Sequence, residues 1–222
     1  MPSICSAMAM WHRREIIRPS HRFANRPMLP NRGALKQMLI NTRTLFLTDV
    51  VDSTKLSELL GDVRMAQVWA AHDRVARDLL IPHHGREIDK TDGFLLLFEN
   101  PSDAAAYALA YHRVIAALDP PPQAHVGLHV GAVILTQNAP ADVALGAKPL
   151  EVDGFAKPTA ARIMGLAIGG QTLLSEAARA ALGDVRESWE VQSHGHYRLK
   201  GVAEPTELFE MGGTGKTRLV RR

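Results

Sequence analysis

Asp49 closes the apolar run Leu45-Phe46-Leu47-Thr48-Asp49-Val50-Val51-Asp52-Ser53-Thr54, and Asp92 opens a second one in Lys90-Thr91-Asp92-Gly93-Phe94-Leu95-Leu96-Leu97-Phe98. Each acid stands at the end of a strand-like segment, beside a small or turn-forming residue. A carboxylate in that position is anchored by a sheet yet faces a loop-lined cleft. Two such groups on adjacent strands can hold a hard divalent cation, and a hard cation suits phosphate chemistry. Taken singly, either acid reads equally well as a turn cap, because Asp is a common turn former. The histidines make no comparable constellation. His72 lies on an apolar helix face and reads as a packed residue. His129 alternates with Val126, Leu128 and Val130 and reads as structural. His83-His84 has no partner at metal-ligand spacing.

The elements that must position the two acids follow from periodicity. A strand is expected over 44–50, then a helical stretch with Ser53 or Thr54 as N-cap. Val68, Trp69, His72, Val75, Ala76, Leu79 and Leu80 recur at helical spacing, and Pro82 and Gly85 end that helix. Strands over 86–91 and 93–98 form a tight hairpin. The next helix starts at Pro101-Ser102 and stops at Pro120-Pro121-Pro122. A strand over 124–135 follows, then a polar loop over 136–150. Helices over 155–166 and 175–182 flank a strand at 171–174, and late strands are expected near 185–191, 196–199 and 206–211. The order from 44 to 135 is the ferredoxin-like split βαββαβ unit. The expected fold is therefore α/β (α+β), with a mainly antiparallel sheet and extra C-terminal strands and helices.

Charge is unevenly spread. The net charge is +3, but residues 1–43 carry seven Arg and one Lys against the single acid Glu15, so the remainder is acidic. A folded nucleic-acid-binding surface does not follow from the basic pI, and no nucleic-acid partner is expected. No apolar run approaches the roughly 20 residues of a membrane helix, so no membrane association is expected either. The lone cysteine, Cys5, excludes an internal disulfide and fits a reducing, cytoplasmic compartment. Residues 1–42 read as a basic arm, weakly similar to a transit peptide but closer to a disordered segment or a translation start placed too early. The domain proper is expected over 43–211, and 212–222 as a short basic tail.

From about residue 43 to 211 the chain resembles a class III adenylate/guanylate cyclase catalytic domain. The segments that carry the resemblance are Phe46 to Thr54, Asp92-Gly93-Phe94, Gly127-Leu128-His129-Val130-Gly131, Ala160-Ala161-Arg162-Ile163-Met164, Gly169 to Glu176, and Arg198-Leu199-Lys200-Gly201 with Glu207 to Glu210. Their common order makes the resemblance specific; any one alone would be weak. The resemblance implies attack of the 3′-hydroxyl of a nucleoside triphosphate on its own α-phosphate, with loss of pyrophosphate. It implies two divalent ions per site, Mg²⁺ or Mn²⁺, with Asp49, Val50 and Asp92 at the metal-ligand positions. Ser53 and Thr54, at a helix N-terminus, would cradle phosphates. Arg162 matches the arginine that stabilises charge at the α-phosphate, and Lys200 a lysine that binds the terminal phosphates. The acidic half and the arginine half of a site come from opposite subunits in the family, which implies a homodimer with shared sites.

Three departures from the family pattern bear on activity. Pro158 stands where an asparagine usually orients the ribose, four residues before Arg162. The purine-selecting position four residues before Asp92 is Ile88 without a gap, Lys90 if the hairpin is shorter, or Glu87 with an insertion. The other purine-selecting position falls on Glu151, whose carboxylate accepts from an adenine amino group but repels guanine O6. Glu151, with Lys90, leans toward ATP over GTP. The expected function is therefore an adenylate cyclase; the alternative is a degenerate cyclase domain that binds nucleotide or dimerises to regulate a partner. The segment Gly212-Gly213-Thr214-Gly215-Lys216-Thr217 resembles the end of a P-loop, but Glu210 occupies the place of its first glycine. It reads as chance or as the remnant of a fused ATPase.

Overall fold

Adjacent apolar residues along β1 (Leu39–Val50) go to opposite sides of one sheet, and that division organises the protein. The computed structural model describes residues 39–184 and 189–213. The basic arm, the start of the strand expected near 185–191, and the P-loop-like segment from Thr214 onward lie outside the described residues. After β1 come α1 (Ser53–Leu60), α2 (Asp62–Asp78), β2 (Arg86–Lys90), β3 (Phe94–Phe98), α3 (Pro101–Ile115) and β4 (Ala124–Gln137). Then follow α4 (Pro140–Ala144), β5 (Leu150–Asp153), α5 (Ala156–Met164), β6 (Thr172–Ser175), α6 (Glu176–Ala181), β7 (Trp189–Tyr197) and β8 (Thr206–Gly213).

The strands form one sheet in the order β2-β3-β1-β4-β6-β8-β7, with β5 on β4. Every pairing is antiparallel except β4 with β6. The β1 to β4 portion has the expected split βαββαβ topology, so the fold reading holds. Phe46, Phe94, Leu96, Phe98, Val126 and Leu128 face α2 and α3, where Tyr107 and Tyr111 meet the Phe46 ring edge-on at 5.0 and 5.8 Å. Leu45, Leu95, Leu97, Val133 and Val152 face the other way, against Ala156 and Ala160 of α5. All five residues of β3 are buried, which explains why that strand reads as a continuous apolar run rather than an alternating one.

Four expectations are corrected. The helix after β1 is two helices, broken at Gly61, whose φ of 74° is left-handed backbone that glycine adopts without strain. Its N-cap is Asp52, at φ 54°, and not Ser53 or Thr54, which are the first helical residues. The loop expected over 136–150 holds α4 and leads into β5, a strand with one buried residue, Val152, too short to show a pattern. The late strands expected near 185–191 and 196–199 are one strand, β7, whose register shifts between Ser193 and Gly195. Among the described residues no helix is long and apolar enough to cross a membrane.

Candidate active site

Asp49 is held one residue before the end of β1, directly opposite His125 of β4. Asp92 lies in the turn between β2 and β3. Gly93 brings the two together: a Cβ there would fall 1.7 Å from the Thr48 carbonyl oxygen, so only a glycine lets the turn press against the end of β1. Both acids line one cavity of about 260 Å³ with Asp89, Lys90, Lys157 and Met164. Burial raises the Asp49 carboxyl above its ordinary range, and the neighbouring Asp92 charge raises it further; the Val50 N–H donates to Asp49 Oδ1 at 3.0 Å and opposes the shift. The pair of carboxylates is thus an electrostatic deficit that a cation would relieve.

His125 is a site residue that sequence reasoning missed. Its Nδ1 lies 3.0 Å from the Ala167 carbonyl, which can only accept, so Nδ1 carries a proton. Nε2 is buried, has no hydrogen-bond partner, and sits 3.8 Å from Asp49 Oδ2. The signal was available only through register, because nothing in the sequence says that residue 125 faces residue 49. Among the described residues no three His, Cys, Asp or Glu side chains gather at metal-ligand spacing. Protein ligation by side chains therefore rests on the carboxylate pair, a hard-oxygen donor set that fits Mg²⁺ or Mn²⁺ completed by carbonyl, water and phosphate oxygens.

Ser53 and Thr54 begin α1, beside the last residues of β1. No side chain caps this helix: Asp52 instead pairs with Lys55 at 2.9 Å. The first N–H groups of α1 are thus left for an acceptor from outside the helix.

Arg162 and Lys200 are brought together elsewhere, and neither lines the cavity of the two acids. Arg162 is on α5, and α5 lies unusually close to β4. A Cβ on Gly127 would be 2.5 Å from the Met164 nitrogen and 2.8 Å from the Ala160 carbonyl oxygen. Glycine at 127 therefore seats the helix on the sheet. The Arg162 Nε–H donates to the Lys200 carbonyl at 3.1 Å, which ties α5 to the turn after β7. Pro158 is the third residue of α5, in the first turn, where a missing N–H breaks no intrahelical bond.

The purine-selecting candidates part company. Glu151, on β5, accepts from Asn138 Nδ2 at 2.8 Å. Lys90 turns to the α2 side, pairing with Asp73 at 2.9 Å and lying 5.6 Å from the Trp69 ring centre. Glu87 is taken by the Arg77 guanidinium, in two bonds of 2.7 and 2.8 Å, and Ile88 is buried in the core under α5. His72 is fully buried, stacked on Phe94, with Nε2 2.7 Å from the Tyr111 hydroxyl, as expected of a packed residue. His129 is 2.9 Å from Ser175 Oγ, and burial pushes it down to about 4.

No protein-family model matches this sequence, and no curated protein does. Solved structures do. The adenylyl cyclase CyaB from P. aeruginosa superposes with a TM-score of 0.72 at 14% identity, over 81% of this chain and 98% of that one. An adenylate cyclase from Trypanosoma brucei, solved in its monomeric state, gives 0.71 at 22% identity over 81% and 92%. The guanylate cyclase domain of RhGC from Catenaria anguillulae, solved in complex with GTP, gives 0.64 at 14% identity over 78% and 96%. At such identities the likeness speaks for architecture, and the architecture agrees with the resemblance carried by the motifs: the chain has the fold of the class III adenylyl/guanylyl cyclase catalytic domains.

Proposed function

We propose that the chain is a nucleotide cyclase that converts ATP to 3′,5′-cyclic AMP and pyrophosphate, as a homodimer with shared sites. The observation that carries this reading is the carboxylate pair on the cyclase fold: Asp49 and Asp92 in one cavity, with the Asp49 carboxyl raised by burial and by the Asp92 charge. Asp49 and Asp92, with the Val50 carbonyl, would hold Mg²⁺ or Mn²⁺. When bound, two such ions acidify the 3′-hydroxyl and screen the phosphates. The uncapped N–H groups at Ser53 and Thr54 bind phosphate oxygens. Lys200 supplies an exposed cation for the terminal phosphates. Arg162, aimed by the Lys200 carbonyl, meets the charge that develops at the α-phosphate as the new O–P bond forms and pyrophosphate leaves. Because Arg162 and Lys200 do not line the acid cavity, a complete site draws its arginine half from a second copy of the chain. Glu151 leans the site toward adenine.

Purified protein assayed with Mn²⁺ and ATP, beside an Asp49→Ala control, tests this directly. Cyclic AMP from the wild type and none from the control is the expected result; no cyclic product from the wild type rejects the enzyme reading. Pro158 favours a second reading, a degenerate domain that binds nucleotide and regulates a partner, because proline cannot supply the ribose contact of the usual asparagine. Nucleotide binding without turnover is the outcome that reading requires.

A further inference from the structure

A β-bulge decides which residue of β2 faces the cleft. Arg86 opposes Leu97 and Glu87 opposes Leu96, but the register then shifts, so that Asp89 opposes Leu95 and Lys90 opposes Phe94. Directly opposed residues share a face of the sheet. Leu95 belongs to the α5 face and Phe94 to the α2–α3 face. The extra residue, Ile88, therefore turns the Asp89 side chain to the α5 face; Lys90 also borders the cavity, but its ammonium group is directed to Asp73 and Trp69 on the α2 side.

Asp89 lines the cavity that holds Asp49 and Asp92. Its carboxylate is ion-paired with Lys148, and Lys157 of α5 also lies near; together they hold it below the ordinary carboxylate range. Asn138 connects this pair to Glu151. Its Nδ2 donates to the Lys148 carbonyl and to Glu151 Oε1, both at 2.8 Å. A continuous line of polar groups thus runs from Asp89, in the cavity wall, through Lys148 and Asn138 to Glu151 on β5.

We infer that Asp89, together with Lys148, reads the purine edge of the substrate, and that Lys90 does not. This rests on the cyclase reading above. A negative charge at Asp89 repels phosphate, so this wall suits the base rather than the triphosphate. The Watson–Crick edge of a purine offers a donor beside an acceptor. For adenine, the amino group donates to the Asp89 carboxylate while N1 accepts from the Lys148 ammonium. The pair is partly exposed on both sides, so it contributes little to stability and is readily exchanged for a base. Lys90 is committed to Asp73 and Trp69, which makes it a brace for the hairpin.

The test uses the full chain with Asp89→Asn, Lys148→Met and Lys90→Met. Competition of ATP and of GTP against a fluorescent nucleotide analogue gives a preference ratio for binding, and kcat/KM for both gives one for turnover. Asp89→Asn keeps the shape of the side chain, and near-ultraviolet circular dichroism checks that each variant is folded. The preference ratio is expected to move about tenfold or more in Asp89→Asn and in Lys148→Met, the size of one lost charged hydrogen bond, and to stay within about twofold in Lys90→Met. An unchanged ratio in the first two, or a shift confined to Lys90→Met, overturns the inference. Wild-type protein that binds neither nucleotide overturns both this inference and the cyclase reading. Binding without turnover removes the enzyme reading alone, and the binding ratio still decides the role of Asp89.

Discussion

Asp49 has a single backbone donor to set against burial and the charge of Asp92. A group placed for a cation it must wait for destabilises the metal-free protein. Asp49→Asn is therefore expected to raise the melting temperature of the metal-free protein, by about 2–4 °C for each kcal/mol relieved, while Mn²⁺ binding measured by electron paramagnetic resonance is lost. A lower melting temperature in that variant would contradict the electrostatic argument. Arg162→Ala is expected to lower kcat by about two to three orders of magnitude with a small change in KM, since its charge partner exists only in the transition state. His112 and His129 are both pushed down to about 4 by burial. Below about pH 6.5 the unfolded chain takes up protons that the folded one refuses, so stability falls from there down to about pH 4 and then levels, each unit being worth about 1.4 kcal/mol per histidine at most. Urea midpoints at pH 7, 5.5 and 4.5 read this; a midpoint independent of pH over that range would remove these histidines as its source.

At the scale of elements, the close seat of α5 on β4 positions Arg162, the arginine of the proposed site. Gly127→Ala puts a methyl group against Met164 and Ala160 backbone and is expected to cost about 1–3 kcal/mol in denaturant unfolding, with a fall in kcat from the displaced Arg162. How far these elements could be read in advance depended on where their information sits. Asp49, Asp92 and the β1–β4 order were legible because strand ends, glycines and apolar runs are local signals. Gly127 and Gly131 were visible only as part of a motif; the close approach they allow was not. Asp89 and His125 were not legible: one owes its direction to the bulge at Ile88, the other to its register against Asp49, and both are set by a partner strand. The strand β5 was hidden for a different reason. Four residues with one buried side chain carry no period to detect.

For the whole molecule, Arg162 and Lys200 lie outside the cavity of the acid pair, and on the proposed reading association of two chains completes a site. Asp49→Ala and Arg162→Ala proteins, each inactive alone, are expected to recover on the order of a quarter of wild-type activity when mixed in equal amounts, the share for random pairing with one intact site per mixed dimer. Mixtures that stay inactive would place both halves of the site in one chain. Specific activity should likewise fall on dilution. The link between α5 and the turn after β7 bears on how this assembly can diverge. Arg162 is anchored by the carbonyl of residue 200, a group that every amino acid possesses. A substitution at 200 exchanges the side chain proposed for the terminal phosphates without releasing the arginine. A change in the length of that turn would release it at once. The anchor of Arg162 therefore depends on spacing more strictly than on identity there, and an insertion of one residue near Gly201 is a cleaner lesion of that anchor than any substitution of Lys200.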